Sequence, residues 1–186
     1  AIASRAATVK AKVPARITTK VTNANLLVTY DPNHRGTAEV ELAGALKEIG
    51  EKPQFQATEA EGLFKAKVSN ARAVIGKLRD LCKQNPEVFK VTHHYIPIDK
   101  WCKSDVAEMQ KVIKAAASGI NQHEKWKMGL NKRHWDKMEG TQLIIKLTDV
   151  VERPNVDLNN PQKIVQVEII GKEAGIALLT PTDIFD

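Results

Sequence analysis

No acidic residue precedes Asp31, only two cysteines occur, and no apolar run is long. Each shortage narrows the field. Cys82 and Cys102 do not share a Cys-x-x-Cys spacing, so two reduced thiols are expected, one buried and one near a domain joint, rather than a disulfide framework or a zinc knuckle. No stretch approaches the length of a membrane span, and the first residues lack the continuous apolar segment of a secretory signal. A soluble intracellular protein, cytoplasmic or nuclear/nucleolar, is the expectation. Gly-x-Gly-x-x-Gly, a Walker-type loop, Gly-x-Ser-x-Gly and His-Glu-x-x-His are all missing. With neither nucleotide nor nucleophile signatures, a non-enzymatic protein without a cofactor is expected.

The paired acids Glu59 and Glu61, and Asp149 and Glu152, read as loop and helix-end charges. His93 and His94 are neighbours on a strand and point to opposite faces, which excludes a shared metal. One is expected to be partly buried and the other on the surface. His123 and His134 also lack helical ligand spacing and are assigned to the neighbourhood of a basic turn.

The charge that is present is unevenly spread. The net charge is +6, and Arg5, Lys10, Lys12, Arg16 and Lys20 face no acid; of 28 basic residues, 23 then remain against 22 acidic ones. A near-neutral body with a basic arm at residues 1–24 calls for a polyanionic partner, nucleic acid or an anionic membrane. The arm's Ala, Ser and Arg would suit a transit peptide or an RNA-binding arm equally. Pro14 favours an extended segment, although residues 17–22 could add to a sheet edge.

Beyond the arm, periodicity gives a strand at 26–30 and a helix from an N-cap at Thr37, with Val40, Ala43, Leu46 and Ile49 on its inner face. A hairpin at 54–58 and 63–68 follows. Asn70 can cap a helix facing inward through Ala71, Val74, Ile75, Leu78, Leu81 and Cys82, and residues 88–96 make another strand. Residues 25–98 thus form a ferredoxin-like βαββαβ unit in an α/β (α+β) chain.

Residues 97–103 look like a joint. Asp105 and Glu108 suit a capping box for a helix along Val106, Met109, Val112, Ile113 and Ala116. Residues 125–131 alternate apolar and basic, and 141–151 suit a short helix along Leu143, Ile144, Leu147 and Val150. Residues 154–179 read as an entry loop, with Asp157 accepting hydrogen bonds from its own turn, and then an apolar hairpin turning at 171–173. That hairpin should share a sheet with residues 125–131. The second unit, 99–186, is read as helix, strand, helix, strand, strand.

The most suggestive chemistry is the run from Lys125 to Trp135, a strand entering a basic and aromatic turn. Lys125, Lys127, Asn131, Lys132, Arg133 and His134 are the candidates for RNA contact, with Trp126 and Trp135 offering flat faces to unpaired bases. The alternative is a core Trp126 beside an ordinary solvated turn.

Val156-Asp157-Leu158-Asn159-Asn160-Pro161, then Ile164-Val165-Gln166-Val167-Glu168-Ile169-Ile170 and Ala174-Gly175-Ile176-Ala177, resembles the end of a THUMP domain. The strand into Asn131-Lys132-Arg133 resembles that domain's basic strand-turn, and the ferredoxin-like unit resembles the module that precedes it in tRNA-modifying enzymes. One clear helix plus residues 98–103 stand where the family opens with two helices. The resemblance implies recognition of the tRNA acceptor stem and 3′ end. The arrangement is similar to stand-alone adaptors that present tRNA to an RNA cytidine acetyltransferase for N4-acetylcytidine formation. Two other readings stay open: a fragment of a larger THUMP-containing methyltransferase, thiouridine synthetase or pseudouridine synthase, and a protein-interaction scaffold without RNA affinity.

Overall fold

The computed structural model describes residues 21–186. Arg5, Lys10, Lys12, Arg16 and Lys20 of the basic arm lie outside the described residues, as does most of the possible edge strand at 17–22. Contacts separate a first unit that runs to Ile96 and includes Phe185–Asp186 from a second, Pro97–Ile184.

In the first unit β1 (Leu26–Tyr30), α1 (Arg35–Glu48), β2 (Phe55–Ala57), β3 (Leu63–Ala66), α2 (Ala71–Gln84) and β4 (Thr92–Pro97) follow the expected order. Their sheet order, β2-β3-β1-β4, is that of the split βαβ arrangement. Leu26 lies opposite Ala66 and Val28 opposite Phe64. With Tyr30 and Phe55, these residues share a core with Leu42, Leu46, Val74, Ile75 and Leu78 from the helices. Each large apolar side chain withdrawn from water there contributes roughly 1.5–3 kcal/mol, so this core outweighs any single cap.

Asn70 caps α2 through a hydrogen bond from Ala73 N–H at 3.1 Å. The start and inner face of α1 differ from expectation. A 3-10 turn at Pro32–His34, begun by the Asp31 side chain, runs straight into the helix, leaving Thr37 inside it. Ala43 and Leu46 are buried and Ile49 packs against the core as expected, but Val40 is 50% exposed, and Ala38, Leu42 and Ala45 point inward as well. Part of the face is carried by small alanines, which leave little apolar periodicity to read.

β4 also begins later than residue 88. Another 3-10 turn occupies Pro86–Val88, and the Glu41 carboxylate accepts the N–H groups of Lys90 (2.8 Å) and Thr92 (2.7 Å). Those donors are thereby satisfied by a side chain. Thr92 and Tyr95 are buried and joined by a 3.0 Å hydrogen bond. His93 and His94 between them are both exposed, against the expectation that one would be partly buried. Phe185 exchanges backbone hydrogen bonds with Tyr95, which ties the last residues to β4. Both cysteines are half-buried free thiols, so Cys82 is less enclosed than expected.

The second unit contains β5 (Lys100–Lys103), α3 (Val106–Ala117), β6 (Trp126–Arg133), α4 (Gly140–Thr148), β7 (Lys163–Ile170) and β8 (Glu173–Leu179), with sheet order β5-β8-β7-β6. The segment read as a joint contains a strand: Lys100 pairs with Ile176 and Lys103 with Glu173, antiparallel. Its four residues are too few to display periodicity.

The β7–β8 hairpin turns at Gly171 (φ 59°), a conformation suited to glycine at the head of a tight hairpin turn. β6 lies parallel to β7, in the sheet where it was expected. Val165, Val167, Ile169, Ala174 and Ile176 pack on Met109 and Ile113 of α3 and on Leu143 and Leu147 of α4. Asp105 precedes α3 without making a cap hydrogen bond. Its carboxylate meets Lys137 at 3.3 Å, so the anticipated capping box is absent. α4 ends at Thr148, and Ile144 is 38% exposed, because Leu143 and Leu147 already fill the inward positions of so short a helix. No helix among the described residues is long and apolar enough to cross a membrane.

Candidate nucleic-acid interface

β6 is an edge strand, and alternation along it decides what each candidate can reach. Trp126 is buried, and its indole Nε1 donates to the Arg153 carbonyl at 3.0 Å. With Met128 and Leu130 it belongs to the core beneath α3 and α4. The strand's start is fastened by backbone hydrogen bonds from Trp126 N–H to the Asn155 carbonyl and from Asp157 N–H to the Trp126 carbonyl, both 2.9 Å.

Asp157 in turn accepts from Asn159 N–H (3.0 Å) and Asn160 N–H (2.9 Å), as the sequence led us to expect. These backbone donors, helped by Lys125, hold its carboxyl below the usual aspartate range. At the far end Gly171 N–H donates to the Arg133 carbonyl at 2.8 Å, and the Trp135 Nε1 donates to the Ser104 carbonyl at 2.8 Å. β6 is thus clamped at both ends.

Lys132 and Arg133 are strand residues, not turn residues. The chain turns at His134, whose φ is 56°, and Trp135 then enters the core at 7% exposure. Neither tryptophan offers a face for stacking: Trp126 is inward by alternation, Trp135 by that turn. His123, expected beside the basic turn, lies instead at the strand's opposite end, where its carbonyl accepts from Asn155 Nδ2 at 3.2 Å.

The six candidates divide. Lys132 is exposed, with its ammonium 5.9 Å from the Trp135 ring centroid, and His134 is exposed beside it. Lys125 is exposed at the other end, 3.7 Å from the Asp157 carboxylate. Lys127 is half-buried between them. Asn131 and Arg133 engage an acid on β7. Asn131 Nδ2 donates to both oxygens of Glu168, at 3.2 and 2.8 Å. Arg133 Nη1 lies 3.5 Å from Glu168 Oε1.

Gln166 Nε2 completes this cluster with a hydrogen bond to Glu168 at 3.2 Å. Its side chain crosses β6 over Gly129, where a Cβ would collide with the amide oxygen. Glu168 is fully buried, and burial raises its carboxyl pKa despite the opposing pull of Arg133, Asn131 and Gln166. Sequence reasoning missed Glu168 and Gln166; the available signal was two polar residues alternating within an otherwise apolar strand. Among the described residues no group of three or more His, Cys, Asp or Glu side chains could hold a metal ion.

No protein-family model matches this sequence, and no curated protein matches it. Solved structures do. PH1313 from Pyrococcus horikoshii Ot3 superposes with a TM-score of 0.62 at 12% identity, covering 84% of this chain and 54% of that one. The fold is shared. TrmN from Thermus thermophilus matches at TM-score 0.54 and 15% identity, over 84% of this chain and 46% of TrmN. A 4-thiouridine synthetase, solved with RNA and bound ATP, matches at 0.51 and 16% identity over 84% of this chain and 41% of its own. The present chain therefore spans about half, or less, of the length of these proteins. The α+β architecture, a ferredoxin-like unit followed by an α/β unit, is common to this chain and these neighbours.

Proposed function

We propose that this chain is a non-catalytic THUMP-containing tRNA-binding protein that recognises the acceptor stem and 3′ end and presents tRNA to an RNA cytidine acetyltransferase. The observation that carries the RNA part is the cationic edge of β6. Lys125 and His134 flank a strand fastened at both ends, and Lys127 and Lys132 lie on it, on opposite faces by alternation. Cations held on a rigid edge can meet successive phosphates, giving affinity for backbone shape without base readout. The shared fold with a 4-thiouridine synthetase solved with RNA, and with TrmN, supports the same reading.

Within this reading Asn131 and Arg133 contribute by holding β6 to β7 through Glu168, and Lys125, Lys127, Lys132 and His134 make the contacts. Binding is tested with whole tRNA, tRNA lacking its 3′ end and an unrelated duplex, each across a salt series. The proposal expects salt-dependent binding to whole tRNA, weakened when the 3′ end is removed. Equal affinity for all three removes end recognition, and absence of salt-dependent binding leaves the protein-scaffold reading.

The partial coverage of each neighbour favours a second reading, in which these residues are the RNA-binding portion of a larger THUMP-containing enzyme. Co-purification separates the two. A distinct acetyltransferase chain recovered with the protein supports the adaptor, and a catalytic domain on the same polypeptide supports the enzyme.

A further inference from the structure

The backbone of β6 has two sides, because only one of them meets another strand of its sheet. The carbonyls of Lys125 and Arg133 accept from Lys163 N–H and Gly171 N–H, so the odd-numbered residues of β6 turn their N–H and C=O groups toward β7. The even-numbered residues turn theirs outward. Trp126 is the first of these: its outward N–H and C=O are taken by the Asn155 carbonyl and by Asp157 N–H. The next three are open. No hydrogen bond among the described residues engages the outward N–H and C=O groups of Met128, Leu130 and Lys132.

These donors and acceptors recur at every second residue, roughly 6.6 Å apart. The run from Lys125 to Trp135 contains no acid, and Lys132, in the open row, is exposed. Glu168 lies on the β7 side. Asp157, at one end of the row, is engaged by Asn159 N–H, Asn160 N–H and Lys125, and Asp136 and Glu139 follow the other end in the chain. A ligand suited to this edge therefore carries negative charge and offers acceptors and donors in alternation. An RNA strand has all three, since its phosphates accept and its 2′-hydroxyls donate. DNA lacks the donor.

We propose that the outer edge of β6 holds the single-stranded 3′ end of tRNA through its main chain. The N–H groups of Met128, Leu130 and Lys132 donate to phosphate oxygens, and their carbonyls accept from 2′-hydroxyls, so the edge selects RNA over DNA. This rests on the RNA reading of β6 and adds to it the main-chain contacts and the preference for ribose. A second copy of this chain is a poorer occupant, because pairing β6 with β6 would bring two basic runs together.

The test uses the full chain, tRNA, and the same tRNA with 2′-deoxy sugars at its unpaired 3′ nucleotides. Lys132→Ala removes the ammonium and keeps the N–H. Lys132→Pro removes both, and an edge strand tolerates proline where its N–H faces outward. The proline variant should bind tRNA about fivefold more weakly than the alanine variant, and the parent should lose about as much on the deoxy tRNA. Amide-to-ester replacement at Leu130 keeps the side chain and should also weaken binding, with circular dichroism confirming the fold of each variant. Amide exchange at Met128, Leu130 and Lys132 should slow when tRNA is added. If the parent binds tRNA but the deoxy sugars leave its affinity unchanged, the ribose contacts are overturned and the RNA reading stands. The same holds for the N–H contacts if Lys132→Pro matches Lys132→Ala and the Leu130 ester matches the parent. If the parent binds no tRNA, both readings fall. Protection of these amides that rises with protein concentration in the absence of RNA assigns the edge to a second copy and overturns the proposal.

Discussion

Arg133 on β6 reaches Glu168 on β7 diagonally across a parallel strand pair in which Asn131 stands opposite Glu168 and Arg133 opposite Ile170, with Nη1 3.5 Å from Oε1 and the carboxylate fully buried. Arg133 Nη1 makes no hydrogen bond, so the attraction is ionic, while Asn131 and Gln166 supply the hydrogen bonds that Glu168 needs. The cluster fixes β6 against β7 and uses one cation of the basic run for that purpose.

Removing one partner of such a pair leaves a buried charge uncompensated. Glu168→Leu should lower unfolding free energy by about 3 kcal/mol, and Arg133→Leu should also destabilise, while the double variant recovers much of the loss. Urea unfolding of the four proteins measures the coupling; additive single effects would mean that the pair is not a unit.

The same acid predicts a pH dependence. Its folded-state pKa is raised by burial, so the native state retains a proton that the unfolded chain has released. Stability attributable to Glu168 is therefore greatest below the ordinary glutamate pKa and declines as pH rises from there through the raised value. Glu168→Gln removes that decline. The urea midpoint of the variant should gain on that of the parent as pH rises through this window, and a constant difference would contradict the raised pKa.

Salt dependence separates the candidates for RNA contact. Lys132→Ala or Lys125→Ala should weaken tRNA binding and reduce the slope of log affinity against log salt by about one phosphate contact each. Arg133→Gln should instead act on stability, with less effect on the slope because its charge faces Glu168. If Arg133→Gln alters the slope as much as Lys132→Ala does, Arg133 reaches RNA despite its partner.

Much of this framework is readable from the chain because strands and helices impose periods of their own. The alternation of Trp126, Met128 and Leu130 marks β6, the spacing of Val74, Ile75, Leu78 and Leu81 marks α2, and Asn70 announces its cap. The Asn131–Glu168 contact spans 37 positions and depends on a parallel register that no local pattern encodes. β5 is hidden for another reason: a four-residue strand of Lys-Trp-Cys-Lys gains its identity from β8, not from its own sequence. Val40 misleads because α1 turns its alanines inward and leaves a larger apolar residue exposed.

The loop before β7 depends on a single carboxylate. Asp157→Ala removes the acceptor for Asn159 and Asn160 N–H, and both amides should exchange faster with deuterium while β6 and β7 keep their protection. Because the folded-state pKa of Asp157 is lowered, its stabilising contribution is present above the ordinary aspartate pKa and fades as pH falls through the lowered value. Exchange at Asn159 and Asn160, corrected for intrinsic rates, should lose protection over that acid range in the parent protein. Protection in the parent that survives through the whole range would mean that other contacts hold the turn.

Glu41 occupies a comparable position in the first unit, but its effect should reach further. It accepts the N–H groups of Lys90, Val91 and Thr92 together with the Thr92 hydroxyl, which itself receives the Tyr95 hydroxyl. Glu41→Ala leaves several donors at the entrance to β4 without an acceptor. Each unsatisfied group costs on the order of 1–3 kcal/mol where water cannot replace the bond, and less where it can, so a total loss of about 2–3 kcal/mol is expected. Glu41→Gln retains acceptor capacity at one oxygen and should cost less. Urea unfolding followed by tryptophan fluorescence reports mainly the second unit, because Trp101, Trp126 and Trp135 all lie in Pro97–Ile184. Hydrogen exchange at Tyr95 and residues 90–92 is therefore the better readout. Faster exchange confined to those residues indicates local loosening, and loss of protection across β1 and β3 as well indicates that Glu41 supports the first sheet as a whole. Unchanged protection in Glu41→Ala would show that β4 is held by its ladder alone.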